Sequence, residues 1–196
     1  MEALVEPRIH LWSRDEYYKL AEDGFFHGRR VELVEGQVID MSPMGSLPAT
    51  AVALVGRTLE REFGAGYFAR WQMPVDAGES SEPEPDIAII QGHVRDFTDS
   101  HPKTAVLIVE VADSSLNYDR AEKAGLYAKV GIADYWILNL VDRQLEVCRD
   151  PERDPEADAS QPHAFHYRNV TVHKPGESIV TLAADGLIIS VDDLLP

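Results

Sequence analysis

The most constraining feature of this chain is the run AVLIVEVA at positions 105–112, which is apolar except for one glutamate. A short, continuous run of mostly branched apolar residues indicates a strand that is covered on both faces in the middle of a sheet. Glu110 interrupts this run, and a carboxylate in such a strand is unfavourable unless it is paired or binds a metal ion. The run therefore predicts a central strand that carries a special acid.

The remaining pattern mixes strands with three helices. Ser13 and Glu16 have the spacing of a capping box, which predicts a helix over 13–21, and apolar periodicity predicts two more over 49–63 and 118–130. A hairpin is predicted around Gly36, and further strands over 67–75, 85–90, 134–140 and 144–150, with short strands in the tail. The expected fold is α/β, with a mixed central sheet flanked by helices, in one domain over 1–196. In the hairpin, burial is expected for Val31, Leu33, Val38 and Ile39.

The charged, proline-broken stretch at 150–162 is predicted to be a solvated loop. Cys148 is the one cysteine, so no internal disulfide can form. The N-terminus lacks the pattern of a secretory leader, and the longest apolar runs are too short to cross a bilayer. We therefore expect a cytoplasmic protein without a membrane partner.

Net charge limits the partners that this chain can bind. The chain carries a net charge of −16, with 18 basic against 34 acidic residues. Binding to nucleic acid through phosphate contacts needs lysine and arginine on the contact face. Any such contact must use a local basic cluster, for which the candidates are Arg29, Arg30, Arg57, Arg61 and Arg70.

Asp86 and Glu110 are the acids whose positions point to chemistry. Asp86 follows Pro85 at the start of the strand at 85–90, and Glu110 lies near the end of the most apolar strand. If the two strands are neighbours, both carboxylates project near the same edge of the sheet, where such hard oxygen ligands suit Mg²⁺ or Mn²⁺. Two other roles stay open, a turn or cap role for Asp86 and a buried ion pair for Glu110.

Asp119, Lys123 and Tyr127 follow at intervals of four residues and share one face of the third predicted helix. From there Lys123 can lean over the two carboxylates and orient water or phosphate. The alternative is an exposed Asp119–Lys123 pair, which contributes only a few tenths of a kcal/mol.

Three segments together resemble the Uma-two family of restriction-endonuclease-like proteins, within the PD-(D/E)XK nuclease superfamily. They are ELVEGQVIDMSP, PEPDIAII and LIVEVADSSLNYDRAEKAGLYAKVGIADYWILN. The resemblance is strongest over residues 13–150. It implies a restriction-endonuclease-like core. It also implies a metal-dependent endonuclease that hydrolyses phosphodiester bonds of nucleic acid, with DNA as the expected substrate.

The resemblance also implies roles for individual residues. Asp86 matches the aspartate of PD, and Glu110 matches the first residue of E-x-K, whose lysine position holds Ala112. The following helix then offers Lys123 as the replacement.

Two further residues complete the implied site. Glu32 matches an early acidic position, although an exposed hairpin charge is its alternative role, and the carbonyl of Val111 is expected as a third metal ligand. Relatives often carry a histidine after the hairpin, and the stretch MGSLPATAV has none.

A non-catalytic reading competes with the enzyme. The acidic balance and the missing histidine favour a catalytically weak or inactive nuclease-fold scaffold that acts as an oligomeric binding module, and a homo-oligomer is compatible with either function. His163 and His166 are three residues apart but have no convergent third ligand, so zinc is not expected. Trp12, Trp71 and Trp136 are expected in packing rather than in stacking on bases.

Overall fold

The computed structural model describes residues 8–157 and 164–196. Its helices are α1 (Arg14–Glu22), α2 (Ser46–Phe63), α3 (Leu116–Tyr118) and α4 (Ala124–Lys129), with 3₁₀ turns at Val94–Phe97 and Val191–Asp193. Its strands are β1 (Val31–Val34), β2 (Gln37–Asp40), β3 (Tyr67–Trp71), β4 (Ile87–Gln91), β5 (Leu107–Ala112), β6 (Asp134–Asn139), β7 (Gln144–Arg153), β8 (Phe165–His173), β9 (Ser178–Val180) and β10 (Ile188–Ser190). The predicted α/β class with a mixed central sheet is confirmed.

The central sheet has six strands in the order β3-β4-β5-β6-β7-β8. Neighbouring strands are antiparallel except β5 and β6, which are parallel. The parallel pair needs a crossover, and the helical segment between β5 and β6 supplies it. Two separate hairpins, β1–β2 and β9–β10, complete the strands.

Strand β5 lies in the middle of the sheet with all six residues buried, as its composition predicts. Side chains alternate between two apolar clusters, so Leu107 and Val109 pack against α2 while Ile108 and Ala112 face the layer that contains α4. Glu110 falls on the α4 side by this alternation. Because side chains alternate along the strand, Glu110 points towards the crossover helices.

The first helix begins where the capping box predicts. The Ser13 hydroxyl accepts from the Glu16 amide at 3.3 Å, and the Glu16 carboxylate accepts from the Ser13 amide at 2.9 Å. These two bonds satisfy amide groups that have no partner inside the helix. A sequence pattern of four residues therefore fixed the start of α1.

Two predictions for single elements are wrong. Val38 and Ile39 are only half-buried, because β1 and β2 form a separate two-stranded sheet and β2 is its outer strand. Strand β7 continues to Arg153 by pairing with β8, so the start of the predicted loop is strand, and positions 158–162 lie outside the described residues.

The predicted helix over 118–130 is confirmed. It begins at Leu116, two residues early, and is interrupted by a π-helical turn at Asp119–Lys123 before α4.

Among residues 8–157 and 164–196, no helix is both long and apolar enough to span a bilayer.

Asp134 fastens the C-terminal part of the chain to the sheet. It is fully buried at the start of β6. Its carboxylate accepts from the Trp136 indole N–H at 2.7 Å, from Arg149 at 2.9 and 3.1 Å, and from the Leu182 amide at 3.0 Å. One side chain therefore joins β6, β7 and the segment that follows β9.

We expect Asp134→Ala to lower the free energy of unfolding by about 3–5 kcal/mol, because it leaves a buried indole N–H and a partly buried guanidinium without their acceptor. Urea denaturation monitored by circular dichroism measures this change. Glu152→Ala is the control, since Glu152 is a partly exposed acid on the neighbouring strand. Similar losses in both variants would contradict the anchoring role of Asp134.

Candidate active site

Asp86 and Glu110 hold each other in place through main-chain amides. Asp86 lies directly before β4, and Glu110 lies in the neighbouring antiparallel strand β5. The Asp86 amide donates to Glu110 Oε2 at 3.0 Å, and the Val111 amide donates to Asp86 Oδ2 at 2.9 Å. The two predicted acids thus lie together at one end of β4 and β5, on the side of the sheet that the crossover helices cover.

Lys123 reaches this pair from the π-helical turn. Its ammonium is 2.7 Å from Glu32 Oε2 and 3.4 Å from Glu110 Oε1, and the residue is 2% exposed. Glu32 is itself fully buried in β1 and also accepts from the Glu84 amide at 3.0 Å. The alternatives of an exposed Asp119–Lys123 pair and of an exposed charge at Glu32 are therefore both wrong.

The π-helical turn carries the two buried charges of the crossover, Asp119 and Lys123. Such wide turns often occur at functional sites in helices. One turn later, the Tyr127 hydroxyl donates to Glu110 Oε1 at 2.8 Å. The four-residue spacing seen in the sequence therefore does bring Lys123 and Tyr127 to the same carboxylate.

Some participants were missed by sequence reasoning. Gln72 donates to Asp86 Oδ1 at 3.0 Å, from a residue just after β3 with positive φ. Asp119 was considered only as an ion-pair partner, yet its buried carboxylate accepts from Ser115 at 2.6 Å. Nothing in the sequence singles out Gln72, whereas the burial of Asp119 could have been inferred from the helical face that it shares with Lys123 and Tyr127.

These groups line a pocket of about 360 Å³. Asp86, Glu110, Asp119 and Lys123 contribute to it, together with the Val111 backbone region. The stretch at 44–52 lines the same pocket through Met44, Gly45 and Pro48. The segment between β2 and α2 is therefore one wall of the site.

Negative charge exceeds positive charge inside this pocket. Burial raises the pKa of Glu110 to about 8, opposed by Lys123 and reinforced by Asp86, and burial raises the pKa of Asp119 to about 6. Burial alone would lower the pKa of Lys123, but the carboxylates of Glu110 and Glu32 outweigh it and the pKa is raised. The ammonium of Lys123 therefore stays charged at neutral pH. It is outnumbered by the carboxyl groups around it.

Two buried oxygens near Lys123 have no hydrogen-bond partner in the described part of the chain, namely Glu32 Oε1 and the Tyr118 hydroxyl. An unpaired buried oxygen is costly, and of these two residues Tyr118 lines the pocket whereas Glu32 does not. Asp86 and Glu110 also keep free lone pairs, since a carboxylate can accept about four hydrogen bonds. The donor set thus fits a hard divalent cation.

Within residues 8–157 and 164–196, no three His, Cys, Asp or Glu side chains are grouped as ligands of one metal ion. A site of two carboxylates and one carbonyl still suits Mg²⁺, which needs few protein ligands and keeps several waters. The Val111 amide points to Asp86, and the carbonyl of a strand residue points to the same side as its amide. Continuing the β4–β5 register places Pro85 opposite Val111, and proline has no N–H to occupy that carbonyl.

The candidate basic cluster does not form one face. Arg70 is buried and bonds the Pro74 carbonyl and His101, so it is excluded from contact with nucleic acid. Arg29 and Arg30 pair with Asp40 and Glu84. Arg57 and Arg61 are exposed on α2, and Arg57 lies nine residues from the pocket residue Pro48, which is about 13 Å along the helix.

Histidine gives no sign of a zinc site in the described residues. His166 is half-exposed on β8 and contacts Glu152 at 3.1 Å. His163 lies outside the described residues. The three tryptophans are not arranged as a stacking platform in the pocket, and Trp136 is fully buried.

Comparison with known proteins identifies relatives of the chain and of its fold. The sequence model of the Uma2 family, described as "Putative restriction endonuclease", matches residues 14–191. Among solved structures, one described as "a putative nuclease belonging to DUF820 from Anabaena variabilis" superposes with a TM-score of 0.61 at 16% sequence identity. The match covers 95% of this chain and 97% of that chain. No curated protein matches the chain.

We expect the stability of the metal-free protein to fall as pH rises from about 4.5 to about 8 through the titration of Glu110. The folded state keeps the proton that the unfolded state releases in this window, so the stabilisation is complete below the ordinary pKa of 4.5 and is lost as pH approaches 8. Glu110→Gln cannot titrate, so its unfolding free energy should rise relative to wild type by up to about 1.4 kcal/mol per pH unit.

Urea denaturation in EDTA at several pH values checks this difference in slope. Glu60→Gln is the control, because Glu60 is exposed on α2 and should give a curve parallel to wild type. If the Glu110→Gln curve is also parallel, the raised pKa of Glu110 is refuted.

Proposed function

Because the chain belongs to the Uma2 family of restriction-endonuclease-like proteins, we propose that it is a metal-dependent endonuclease that hydrolyses phosphodiester bonds of nucleic acid. The observation that carries this proposal is the interlocked pair Asp86 and Glu110 with the buried ammonium of Lys123 beside it. Carboxylates and one ammonium at a pocket floor are the side chains that phosphoryl transfer requires, since catalysis there rests on positioning and charge stabilisation.

Asp86, Glu110 and the Val111 carbonyl are the proposed ligands of Mg²⁺ or Mn²⁺. A divalent cation held there would neutralise charge on a phosphate and lower the pKa of water. The protein groups keep the ligands oriented. Tyr127 holds one oxygen of Glu110, and Gln72 holds one oxygen of Asp86, so both carboxylates are fixed before any ligand arrives.

Lys123 is the proposed substitute for the lysine that the E-x-K position lacks, where Ala112 stands. Its raised pKa keeps it protonated, so its role is that of a hydrogen-bond donor and positive charge rather than a base. In the proposed mechanism it would orient an attacking water or stabilise charge that develops on phosphate oxygens. Glu32 is proposed to position Lys123, since its carboxylate receives the shorter of the two contacts.

We expect Asp86→Asn and Glu110→Gln each to remove the thermal stabilisation that Mg²⁺ or Mn²⁺ gives to the wild type, because each variant removes one charged ligand. Cleavage of nucleic acid should fall by about a hundredfold or more. Asp113→Asn is the matched control, since Asp113 is an exposed acid of the same pocket with no assigned ligand role.

The two measurements separate the enzyme from the scaffold. A wild type that is stabilised by metal but cleaves no nucleic acid would favour the non-catalytic binding module. A wild type that is not stabilised by any divalent cation would contradict the proposed metal site itself.

For Lys123→Met we expect metal binding to be retained and cleavage to fall by about a hundredfold or more, because the variant removes the donor but no ligand. Thermal shift with Mn²⁺ and single-turnover cleavage measure the two effects. Lys129→Met is the control on the same helical segment, as Lys129 pairs with Glu35 away from the pocket. Cleavage at the wild-type rate by Lys123→Met would contradict the role proposed for this lysine.

A further inference from the structure

We propose that this site takes a single unpaired strand of nucleic acid and does not act on the backbone of an intact duplex. The inference rests on the proposed function and names its substrate class. Three independent features of the pocket support it, namely the depth of the reactive groups, the charge of the rim and the chemistry of one wall.

Depth is the first feature. Lys123, Glu110 and Asp119 are each at least nine-tenths buried, and only Asp86 among the pocket-floor groups is half-buried. A pocket of about 360 Å³ is close to the lower end of the range for small-molecule sites. Duplex DNA is stiff, with a persistence length of about 50 nm, so it cannot bend a single phosphate into a narrow pocket. A flexible single strand can turn one phosphate towards these groups.

The charge of the rim is the second feature. Asp40, Glu84 and Asp113 line the pocket, and because none of them is fully buried we call them its rim. Within the described part of the chain, Arg30 is the one arginine that lines the pocket, and it is paired with Glu84. Binding to a duplex relies on several phosphate contacts made by free basic groups. The rim offers no such row of contacts, so it opposes a rigid double helix that must lay many phosphates against it.

The wall between β2 and α2 is the third feature. Met41, Pro43 and Met44 line the pocket, and Met44 is 39% exposed. Methionine is flexible and polarisable and packs well against flat rings. An exposed apolar wall next to the carboxylates can cover the face of one unstacked base while its phosphate lies at the pocket floor. A base is free to do this only when it is unpaired.

The test compares binding of labelled oligonucleotides by fluorescence anisotropy, with Ca²⁺ in place of Mg²⁺ so that cleavage does not interfere. The probes are one DNA strand, the RNA strand of the same sequence, the fully paired duplex, and a duplex with an unpaired internal bubble. We expect the single strands and the bubble to bind about tenfold or more tighter than the duplex. Binding should also weaken only gently with salt, because few phosphates are contacted.

Two variants examine the apolar wall. Met44→Glu should weaken binding of the single strand by about fivefold or more, since it replaces an apolar contact by a charge at the mouth. Leu47→Glu adds the same charge three residues away on an exposed side chain that does not line the pocket, and it should leave binding within about twofold of wild type.

Equal or tighter binding of the duplex, no binding of any strand, or equal effects of the two variants would each overturn the inference. The proposed function is judged separately, by hydrolysis of bis(4-nitrophenyl) phosphate with Mn²⁺ and its loss in Asp86→Asn. Hydrolysis of this small diester together with a preference for duplex would reject the substrate class and leave the phosphodiesterase standing. A preference for single strands without any hydrolysis would reject the phosphodiesterase and leave the preference for an unpaired strand standing.

Discussion

The buried ammonium of Lys123 is the interaction on which the site depends. It joins Glu32 of the first hairpin to Glu110 of the central strand from a turn of the crossover. Removing one partner of a buried ion pair leaves an uncompensated charge and costs about 3–5 kcal/mol. The hairpin, which shares no strand with the central sheet, is therefore joined to it by a polar contact.

The same contact leaves the pocket short of positive charge. The ammonium contacts Glu32 and Glu110, and Asp86 and Asp119 line the same pocket. Burial, together with repulsion between these acids, raises the pKa values of Glu110 and Asp119. Polar groups that are unfavourable in the free protein are characteristic of sites that bind a ligand. Stability comes from elsewhere, for example from the fully bonded Asp134 and from the two apolar clusters on either side of the sheet.

Local acidity and overall acidity have different consequences here. A net charge of −16 argued against long-range attraction of nucleic acid, and the structure adds that the arginines near the pocket are already paired. A site that captures one phosphate through its own ligands does not need a basic face. The acidic composition is thus compatible with a nuclease that recognises a single nucleotide. It is much less compatible with a nuclease that binds a duplex through many phosphates.

Periodicity and local chemistry in the sequence determined the elements and most of the site. The apolar run predicted β5 as a central strand, the Ser13–Glu16 spacing predicted the start of α1, and the four-residue spacing predicted that Lys123 and Tyr127 share a face. These signals are local, because they depend on repeats of two or about four residues along one element. They also pointed to Asp86 and Glu110, although the proximity of these two acids depended on whether their strands are neighbours.

Tertiary structure alone decided which alternative roles were real. Burial of Glu32 and Lys123, the part played by Gln72 and the loss of Arg70 as a basic contact all depend on residues that are distant in sequence. The extension of β7 and the exposure of β2 likewise depend on which strand lies alongside. Whether a charge faces water or another charge is set by packing between elements, and no repeat along a single segment encodes it.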